Sequence, residues 1–519
     1  MTSGVLPPLP RAFSGAALTD PGTLPRWAGA SGPFWHVPSA VLLPDSTEDV
    51  ALLLPWARSH GLALVPRGAG TGMPGGNVGP GVILDLSRLA EVRVSDVAAG
   101  SIRAGAGATG DACRRTSEGI HRELPALPSS APWSTVGGMV ACNAAGARSF
   151  RLGSVRDWVR EATVVHVDGT VEVLRRGGGS TTEPWSGLLA DLEEDLPDPL
   201  PWPAVRKNSS GYALDRVLAT GDALDWIVGS EGTLAVVTEV VLATHAPPAH
   251  RAVVVLGVSD RKELPELVAP LQEEPLVRAC EYLGSHLVRL GGLRGDPRLN
   301  GIRADDGLLL LELAGARGEV EARAESLRAG APWGAVTASD ETRIDDLWEI
   351  RHAANPTLGR ALREGRRSTQ FIEDCVVPLD RLPEFLRGLD EIMAAFRTEA
   401  VVFGHAGDGN LHVNPLVDLH RPGWREEVAT MLEDTVELVA RLGGTMAGEH
   451  GDGRLRTPFL ERIFAPEVIQ AFTRAKAALD PEGILNPGVI VPIPGAQPLA
   501  GLGAAPAFAS GTQGPEGHR

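Results

Sequence analysis

The sequence PRGAGTGMPGG at residues 66–76 decides how the first part of the chain folds. It follows the short apolar segment 62–65, a pattern that predicts a β-strand running into a glycine-rich loop. Glycine lets backbone N–H groups approach a phosphate group closely. A Rossmann loop would open directly into a helix, which Pro74 within MPGGN (residues 73–77) prevents. The loop is therefore either a phosphate-binding loop of another type or a glycine-rich connection.

Three further segments extend this pattern along the chain. They are PSSAPWSTVGGMVACNAAG at residues 128–146, followed by Gly153, then GSEGTL at residues 229–234 and LNPG at residues 485–488. In this order, the segments resemble the FAD-binding fold of the vanillyl-alcohol oxidase / p-cresol methylhydroxylase (PCMH) flavoprotein superfamily. Within it, the chain resembles the FAD-linked D-2-hydroxy acid dehydrogenases, the group of D-lactate dehydrogenase, the glycolate oxidase FAD subunit and D-2-hydroxyglutarate dehydrogenase. The resemblance extends over residues 37–492.

The resemblance implies an α+β fold with two principal parts. A two-part PCMH-type FAD-binding domain would be followed by an α+β substrate (cap) domain with an antiparallel sheet, and a C-terminal helical segment would return to the flavin. The segment THAPPAHR at residues 244–251 suits the linker between the two domains. We expect a flexible N-terminal arm at 1–35, the FAD-binding domain at 36–246, the cap domain at 247–442, the C-terminal segment with an active-site loop at 443–495, and a disordered tail at 496–519.

The resemblance also implies which residues bind the cofactor. Some members of the superfamily attach FAD through a histidine in the first loop, and Ala69 stands at that position here, so noncovalent FAD is expected. The predicted FAD-binding residues are Pro66, Arg67, Gly68, Ala69, Gly70, Thr71, Gly72, Gly75, Gly76, Pro128, Ser129, Ser130, Thr135, Gly137, Gly138, Ala141, Asn143, Ala144, Gly146, Gly153, Glu231, Gly232, Thr233, Leu234 and Asn486.

A second pattern, HAGDGNLH at residues 405–412, predicts a β-hairpin that carries two histidines. Asp-Gly at 408–409 favours a two-residue turn, which would place His405 directly opposite His412 and Phe403 opposite Asn414 on one face. Both imidazoles would then be close enough to share one cation. The alternative is that both histidines are hydrogen-bonded core or turn residues.

Glu449 and His450, in GEHGDG at residues 448–453, add a carboxylate and a third imidazole. Two histidines and a carboxylate suit zinc, with iron(II) or manganese as alternatives, and leave positions open for a substrate. The resemblance implies that His405, His412 and Glu449 are the metal ligands and that His450 is the catalytic base. Asp408 and Asp452 are interpreted as turn-forming residues.

The resemblance assigns two more residues to the substrate. Arg351 matches the arginine that binds the substrate carboxylate, and Asn414 would donate to the substrate carboxylate or hydroxyl. Without the resemblance, Arg351 would be interpreted as half of a helix-surface ion pair with Glu349. Relatives that act on larger acids carry a lysine ahead of the segment at 369–378, and no lysine stands there. D-lactate or glycolate is therefore favoured over a dicarboxylate.

The expected reaction is oxidation of a D-2-hydroxy acid to the 2-oxo acid, with a hydride passing to flavin N5 and a proton to His450. A metal-bound hydroxyl is more acidic, and an imidazole is a suitable base near neutral pH. Two alternatives remain: an FAD-dependent oxidase that uses oxygen directly, and a non-catalytic flavin electron-transfer subunit.

Composition limits the partners. The 519 residues include 48 Lys and Arg against 65 Asp and Glu, a net charge of −17 that disfavours nucleic acid and anionic membranes. The scattered Cys113, Cys142, Cys280 and Cys375 exclude a disulfide scaffold and a resident iron–sulfur cluster. A separate electron acceptor is therefore expected: an iron–sulfur protein, an electron-transfer flavoprotein or a quinone system.

Location and assembly are expectations from the same composition. No basic-then-apolar leader and no 18-residue apolar run is present, which favours a cytoplasmic protein, with peripheral attachment at the inner membrane face as an alternative. A homodimer is the candidate assembly.

Overall fold

The computed structural model describes residues 6–499, apart from 304, 306, 355–365 and 369, and also Leu502. Its first sheet has the strand order β1-β2-β4-β3, with β2, β4 and β3 parallel and β1 antiparallel to β2. Helix α1 (Thr47–Ser59) connects β2 to β3 and begins at Ser46, whose Oγ accepts the Asp49 N–H. The sequence at 44–60, with Ser46 and Glu48 near its start, predicts this capped helix, which is confirmed. The strands are β1 (Ala16–Leu18), β2 (Ala40–Leu43), β3 (Leu64–Arg67) and β4 (Val82–Asp85).

The second sheet is antiparallel throughout, with the strand order β5-β6-β9-β7-β8. The sequence VREATVVHVDGTVEVL at 159–174 predicts a hairpin that turns at Asp168 and Gly169. The β7–β8 hairpin confirms this, and the Asp168 carboxylate accepts the Thr170 N–H. The strands are β5 (Val92–Asp96), β6 (Ser101–Gly105), β7 (Val159–Val165), β8 (Val171–Arg175) and β9 (Val236–Ala243). The helices are α2 (Gly110–Glu118), α3 (Val136–Ala141), α4 (Ser149–Leu152), α5 (Trp185–Asp195), α6 (Leu214–Thr220) and α7 (Leu224–Ile227).

The third sheet lies after the 244–251 segment and is also antiparallel, in the order β13-β10-β12-β11-β16-β17-β14, with β15 on β17 as well. It confirms the predicted α+β cap. The strands are β10 (His250–Val258), β11 (Val277–Gly284), β12 (Gly307–Gly315), β13 (Ala335–Ala338), β14 (Arg366–Ser368), β15 (Glu373–Val376), β16 (Ala400–His405) and β17 (Asn410–Asp418). The helices are α8 (Leu264–Gln272), α9 (Ser285–Leu290), α10 (Arg317–Ala329), α11 (Glu341–His352), α12 (Leu382–Ala395) and α13 (Trp424–Arg441).

Both faces of the third sheet are covered. On β12, Leu309 and Leu311 pack in one hydrophobic cluster while Leu308 and Leu310 pack in another. Because successive side chains of a strand point to opposite faces, a strand that is buried on both faces has a continuous apolar sequence. Polar side chains within these strands are therefore exceptions that need partners.

The C-terminal segment returns to the first part of the chain, as expected from the sequence. Helix α16 packs Phe472 and Leu479 into the hydrophobic cluster of the second sheet. Beyond it, Leu485 forms a parallel bridge with Leu64 at the start of β3, next to the glycine loop. The helices of this segment are α14 (Gly453–Arg456), α15 (Leu460–Ile463) and α16 (Pro466–Leu479).

The N-terminal arm differs from the flexible segment expected at 1–35. Strand β1 pairs with β2, the Trp56 indole donates to the Pro8 carbonyl, and Leu24 is buried. The apolar residues among the prolines and glycines of this arm pack on the first sheet, which composition alone does not show. Of the predicted tail, Leu502 is buried against the cap, while residues 500, 501 and 503–519 lie outside the described residues.

The exact domain boundaries stay a prediction. Within the described ranges, no helix is both long and apolar enough to cross a membrane.

Candidate active site

One cavity of about 600 Å³ lies between the first two sheets and the cap. The glycine loop forms one end of its wall, and His405, His412, Glu449 and His450 form the other. The predicted residues that line it are Pro66, Arg67, Gly68, Ala69, Gly70, Thr71, Gly72, Gly76, Pro128, Ser129, Ser130, Thr135, Gly137, Gly138, Ala141, Ala144, Gly146, Glu231, Gly232, Arg351, His405, His412, Glu449 and His450. The structure thus brings the two predicted patterns, more than 300 residues apart, to a single cavity.

Seven predicted residues lie off this wall. Asn486 stands behind it, where its amide donates to the carbonyls of Gly76 and Glu231 at 2.8 Å each. Asn414 is buried and its Oδ1 accepts from Ser368 Oγ at 3.0 Å, while its Nδ2 has no hydrogen-bond partner among the described residues, so the expected donation to substrate stays a prediction. The seven are Gly75, Asn143, Gly153, Thr233, Leu234, Asn486 and Asn414.

The glycine end has no room for side chains. A Cβ at Gly68 would come within 1.9 Å of Thr135 Oγ1, and one at Gly76 within 2.6 Å of Glu231 Oε2. Gly70 has a φ of 77°, which favours glycine. The Arg67 guanidinium supports the loop by donating to the carbonyls of Gly29 and Asn77. Backbone therefore forms this wall, as the close approach of a nucleotide phosphate requires.

The histidine hairpin is confirmed, but its predicted register is wrong by two residues. Residues 406–408 form a single 3₁₀ turn and Gly409 is left-handed (φ 68°), so the connection is longer than the expected two-residue turn. As a result, His405 pairs with Asn410 and Phe403 pairs with His412. Because the shift is even, His405 and His412 still share one face, with ring centroids 5.3 Å apart.

The three predicted ligands converge. Glu449 Oε1 lies 3.0 Å from His405 Nε2 and 3.5 Å from His412 Nε2. A tetrahedral cation with bonds of about 2.1 Å separates its ligands by about 3.4 Å, so these atoms fit one divalent ion. The donor set of two imidazoles and one carboxylate suits zinc, iron(II) or manganese.

Buried carboxylates orient the imidazoles. Glu281 Oε1 lies 2.6 Å from His405 Nδ1, and Glu373 Oε1 lies 2.9 Å from His412 Nδ1. These contacts leave the Nε2 atoms to face Glu449, the usual arrangement behind metal-binding histidines. Burial would lower the pKa of His405, but Glu281 outweighs it and raises the pKa to about 9. Burial opposes ionisation of Glu281, yet His405 and Arg351 lower its pKa to about 2.

Lys207, from the FAD-binding part of the chain, contacts the candidate ligand Glu449, and we call the region around His405, His412, Glu449 and His450 the histidine corner. The Lys207 ammonium lies 2.6 Å from Glu449 Oε2, and both side chains are buried. Burial would raise the pKa of Glu449, but Lys207 and His405 hold it well below its usual range. With one oxygen occupied by Lys207, Glu449 offers only Oε1 to a cation.

His450 stands beside the candidate ligands. Its Nδ1 lies 2.5 Å from Glu373 Oε2, its Nε2 lies 3.7 Å from Glu449 Oε1, and its ring stacks on His412. Burial would lower the pKa of His450, while Glu373 and Asp374 raise it to about 9. Nδ1 is thus held by Glu373, and Nε2 is the ring nitrogen left to face the cavity.

Arg351 is tied to this corner as well, rather than to the helix surface. Its Nε donates to Glu281 Oε2 at 2.7 Å, and its guanidinium lies 4.9 Å over the Phe403 ring. Glu281 thus links the Arg351 guanidinium to His405. The other guanidinium N–H groups have no hydrogen-bond partner within the described ranges and can bind a carboxylate in the cavity.

A second group of possible ligands, formed by Glu373, Asp374, His412 and His450, does not suit a cation. The Arg456 guanidinium is buried 3.6 Å from Asp374 and 3.8 Å from Glu373 and already balances their charge. Glu373 instead contacts His412 and His450 on the side of each ring that faces away from Glu449.

Glu281, Glu373, Asp374 and Lys207 were missed from the sequence. A signal existed for three of them, because acidic residues in VRACEYLG (277–284) and in IEDCVV (372–377) interrupt apolar strand sequences. A charge inside a buried strand requires a partner. Lys207 lies in a polar loop and gave no such signal. The segment ahead of residue 369, where relatives that act on larger acids carry a lysine and this chain does not, lies largely outside the described residues.

Comparison with known families agrees with the geometry. Residues 38–175 match the FAD binding domain and residues 247–490 match the C-terminal domain of FAD linked oxidases, which together cover most of the chain. The chain therefore carries an FAD binding domain and the C-terminal domain of FAD linked oxidases, and it is an oxidoreductase.

Three curated relatives give the closer context. The chain is 28% identical to D-lactate dehydrogenase of Archaeoglobus fulgidus, over 87% of this chain and 91% of the relative. It is 28% identical to glycolate oxidase subunit GlcD of Bacillus subtilis, over 88% and 90%. It is 27% identical to D-2-hydroxyglutarate dehydrogenase of Stutzerimonas stutzeri, over 92% and 96%.

Solved structures share the fold. A 4-ethylphenol oxidase from Gulosibacter chungangensis matches with a TM-score of 0.66 at 16% identity, covering 91% of this chain and 94% of that one. An alkyldihydroxyacetonephosphate synthase matches with a TM-score of 0.63 at 15% identity, covering 91% and 82%. The mixed α/β architecture is therefore that of the PCMH-type flavoproteins.

Proposed function

We propose that this protein is an FAD-dependent dehydrogenase that oxidises a D-2-hydroxy acid, D-lactate or glycolate, to the 2-oxo acid. One observation carries the proposal: His405, His412, Glu449 and His450 converge at the end of a flavoprotein cavity where Arg351 is held by the same carboxylate as His405. A 2-hydroxy acid has a carboxylate for an arginine and a hydroxyl for a cation and a base. The names of the curated relatives, two dehydrogenases of 2-hydroxy acids and a glycolate oxidase subunit, support the same class of substrate.

In this proposal each residue has one task. Arg351 binds the substrate carboxylate through the N–H groups that Glu281 does not occupy, while its guanidinium rests over the Phe403 ring. His405, His412 and Glu449 hold a divalent ion, zinc or alternatively iron or manganese. Bound FAD supplies a hydride acceptor for the substrate α-carbon, and a bound divalent ion polarises the substrate hydroxyl.

His450 accepts the hydroxyl proton at Nε2. Its Nδ1 is occupied by Glu373, so Nε2 is the nitrogen that faces the cavity. Glu373 makes the ring a stronger proton acceptor, while a nearby divalent ion favours its neutral form, so the two effects oppose each other. A base in this position contributes about 10²–10⁴-fold to the rate of proton removal.

The deciding experiment is anaerobic flavin reduction with a panel of D- and L-2-hydroxy acids. We expect the flavin absorbance to bleach with D-lactate or glycolate and to remain with L-lactate. Exhaustive chelation should abolish bleaching and leave the spectrum of bound flavin unchanged, because the ion serves the substrate. Full activity of the metal-free protein would contradict the role of the cation site, and no bleaching by any acid would favour a non-catalytic flavin subunit.

We further propose that the FAD is noncovalent, because Ala69 offers no nucleophile at the tethering position. Acid precipitation should release all flavin into the supernatant, and flavin retained in the pellet would contradict this.

We propose that electrons leave to a separate acceptor, because the four cysteines of the chain are scattered in sequence and form no cluster that could ligate an iron–sulfur relay. Turnover should be fast with artificial dyes and slow with oxygen. Rapid stoichiometric peroxide production would favour the oxidase alternative.

A further inference from the structure

The loop that carries Glu449 and His450 is held by side chains rather than by secondary structure. Five successive backbone N–H groups, from Glu449 to Gly453, each donate to a side-chain oxygen. Glu449 and His450 donate to Asp374 Oδ2 at 2.9 Å each. Gly451 donates to Ser209 Oγ, and Asp452 and Gly453 donate to the Glu231 carboxylate. The path of the loop therefore depends on where these acceptors stand.

Asp374 holds the part of the loop that contains both proposed chemical groups. It is fully buried on β15, directly opposite His412 on β17. Its second oxygen, Oδ1, accepts from the Asn410 amide at 2.9 Å, also on β17. One carboxylate thus connects the Glu449–His450 backbone to the strand that carries His412.

The backbone at Glu373 explains how two neighbouring carboxylates serve one loop. Adjacent residues of a regular strand point to opposite faces. Glu373 has a φ of 60°, a conformation that non-glycine residues rarely adopt, and both it and Asp374 reach His450. Strain of this kind persists where the surroundings fix it, often at functional sites.

We propose that Asp374 is a positioning residue that sets the distance of the Glu449 carboxylate and the His450 imidazole from His405 and His412. This inference rests on the proposed function. Ligand and base must be held within about 0.5 Å of their working geometry, and a displacement of about 1 Å costs roughly 10²-fold in rate. Two N–H groups on one buried oxygen fix both residues at once.

The test compares Asp374→Ala with Asp374→Asn. Alanine removes the acceptor, whereas the asparagine oxygen can still accept both N–H groups. Asn410 Oδ1 has no partner among the described residues and can turn to receive the new amide. We expect Asp374→Ala to weaken metal binding about 10–100-fold and to slow flavin reduction at saturating metal by at least about tenfold. Asp374→Asn should recover most of both losses.

Asp480→Ala is the matched control. Asp480 is also buried and also accepts two successive loop N–H groups, those of Ile484 and Leu485, but it lies outside the proposed cation site. We expect it to lower thermal stability while the metal affinity of the flavin-loaded protein stays unchanged. An equal loss in both variants would show general destabilisation and overturn the proposal.

Asn410→Ala keeps the test decisive if Asp374→Ala does not fold. It leaves the carboxylate but removes its tie to β17, so metal affinity should fall about three- to tenfold. Metal affinity is measured by competition with a chromophoric zinc chelator, and rates by anaerobic stopped flow with D-lactate.

The outcomes separate this inference from the proposed function. If chelated wild-type protein reduces its flavin normally, the proposed function fails. If wild-type protein needs metal but the folded Asp374→Ala and Asn410→Ala variants match it, only the role of Asp374 is overturned.

Discussion

The two ends of the cavity differ in the groups that line them, which are backbone atoms at one end and charged side chains at the other. At the glycine end, the backbone lines the cavity, because a side chain at Gly68 would clash with Thr135 and one at Gly76 with Glu231. At the histidine end, charged side chains face the cavity and each has a buried partner of opposite charge, as in Lys207 with Glu449 and Glu281 with Arg351. The first end can be recognised from a local motif, whereas the second exists only once four strands and two loops have assembled.

This difference also determines how each end tolerates change. A glycine wall fails by overpacking, which displaces the neighbouring backbone. A paired-charge corner fails when one partner is removed, because the other charge is left buried and uncompensated. Substitutions at the two ends should therefore affect flavin affinity and metal chemistry separately.

The largest effect is expected from His450→Asn. The variant should reduce flavin about 10²–10⁴-fold more slowly, because it loses the positioned base. Stopped-flow absorbance under anaerobic conditions measures this rate. Flavin and metal content serve as controls and should match the wild type, since Glu449 is the proposed ligand. A variant that loses metal, yet reduces flavin normally once metal is restored, would exchange the roles of His450 and Glu449.

Glu281→Gln should weaken metal binding about 10–100-fold, because His405 loses the carboxylate that orients its ring. The KM for the acid should rise too, since Arg351 loses its partner. Glu312→Gln is the matched control: Glu312 is equally buried in the same sheet but pairs with Arg148, so metal affinity should stay unchanged. Chelator competition distinguishes the two, and equal losses would contradict a specific role for Glu281.

Gly68→Ala tests the other end. Its Cβ meets Thr135, so FAD affinity should fall about tenfold, in line with roughly 1–3 kcal/mol for overpacking. Metal affinity should not change. Gly318→Ala, where the added methyl meets no atom within 4 Å, should leave FAD affinity intact. Flavin fluorescence titration gives both values, and an effect of Gly68→Ala on metal affinity would contradict the separation of the two ends.

The smallest effect is a pH dependence of stability in the metal-free protein. His405 and His450 have pKa values raised to about 9, against 6.5 for free histidine. Their contribution to stability is present below pH 6.5 and is lost as the pH rises through 9. Urea unfolding should therefore show a free energy of unfolding that decreases from pH 6.5 to 9, with a shallower slope in His450→Asn. A free energy that rises over this range would contradict the charge pairing.

Local patterns predicted most of the fold. The N-cap at Ser46, the Asp168-Gly169 turn and the apolar runs 252–258 and 308–313, which predict strands of the cap domain, each depend on neighbours in sequence, and each was confirmed. The loop at 66–76 was assigned to the cofactor by the resemblance rather than by its local pattern, and it lies on the cavity wall.

What the sequence did not predict depends on long-range packing. The hairpin register changed because the turn formed a 3₁₀ helix, and the N-terminal arm packed because the first sheet offers it an edge. Glu281, Glu373 and Asp374 act through partners 75 to 124 positions away, which no local pattern specifies.

The even register shift of the histidine hairpin has a consequence for how this site can change. A slip of the β16–β17 pairing by two residues keeps His405 and His412 on one face, whereas a slip by one residue turns one imidazole to the opposite face of the sheet. Parity, more than turn length, is the constraint. The turn itself can therefore vary in length without moving either imidazole to the other face, as long as His405 stays paired with Asn410 and Phe403 with His412.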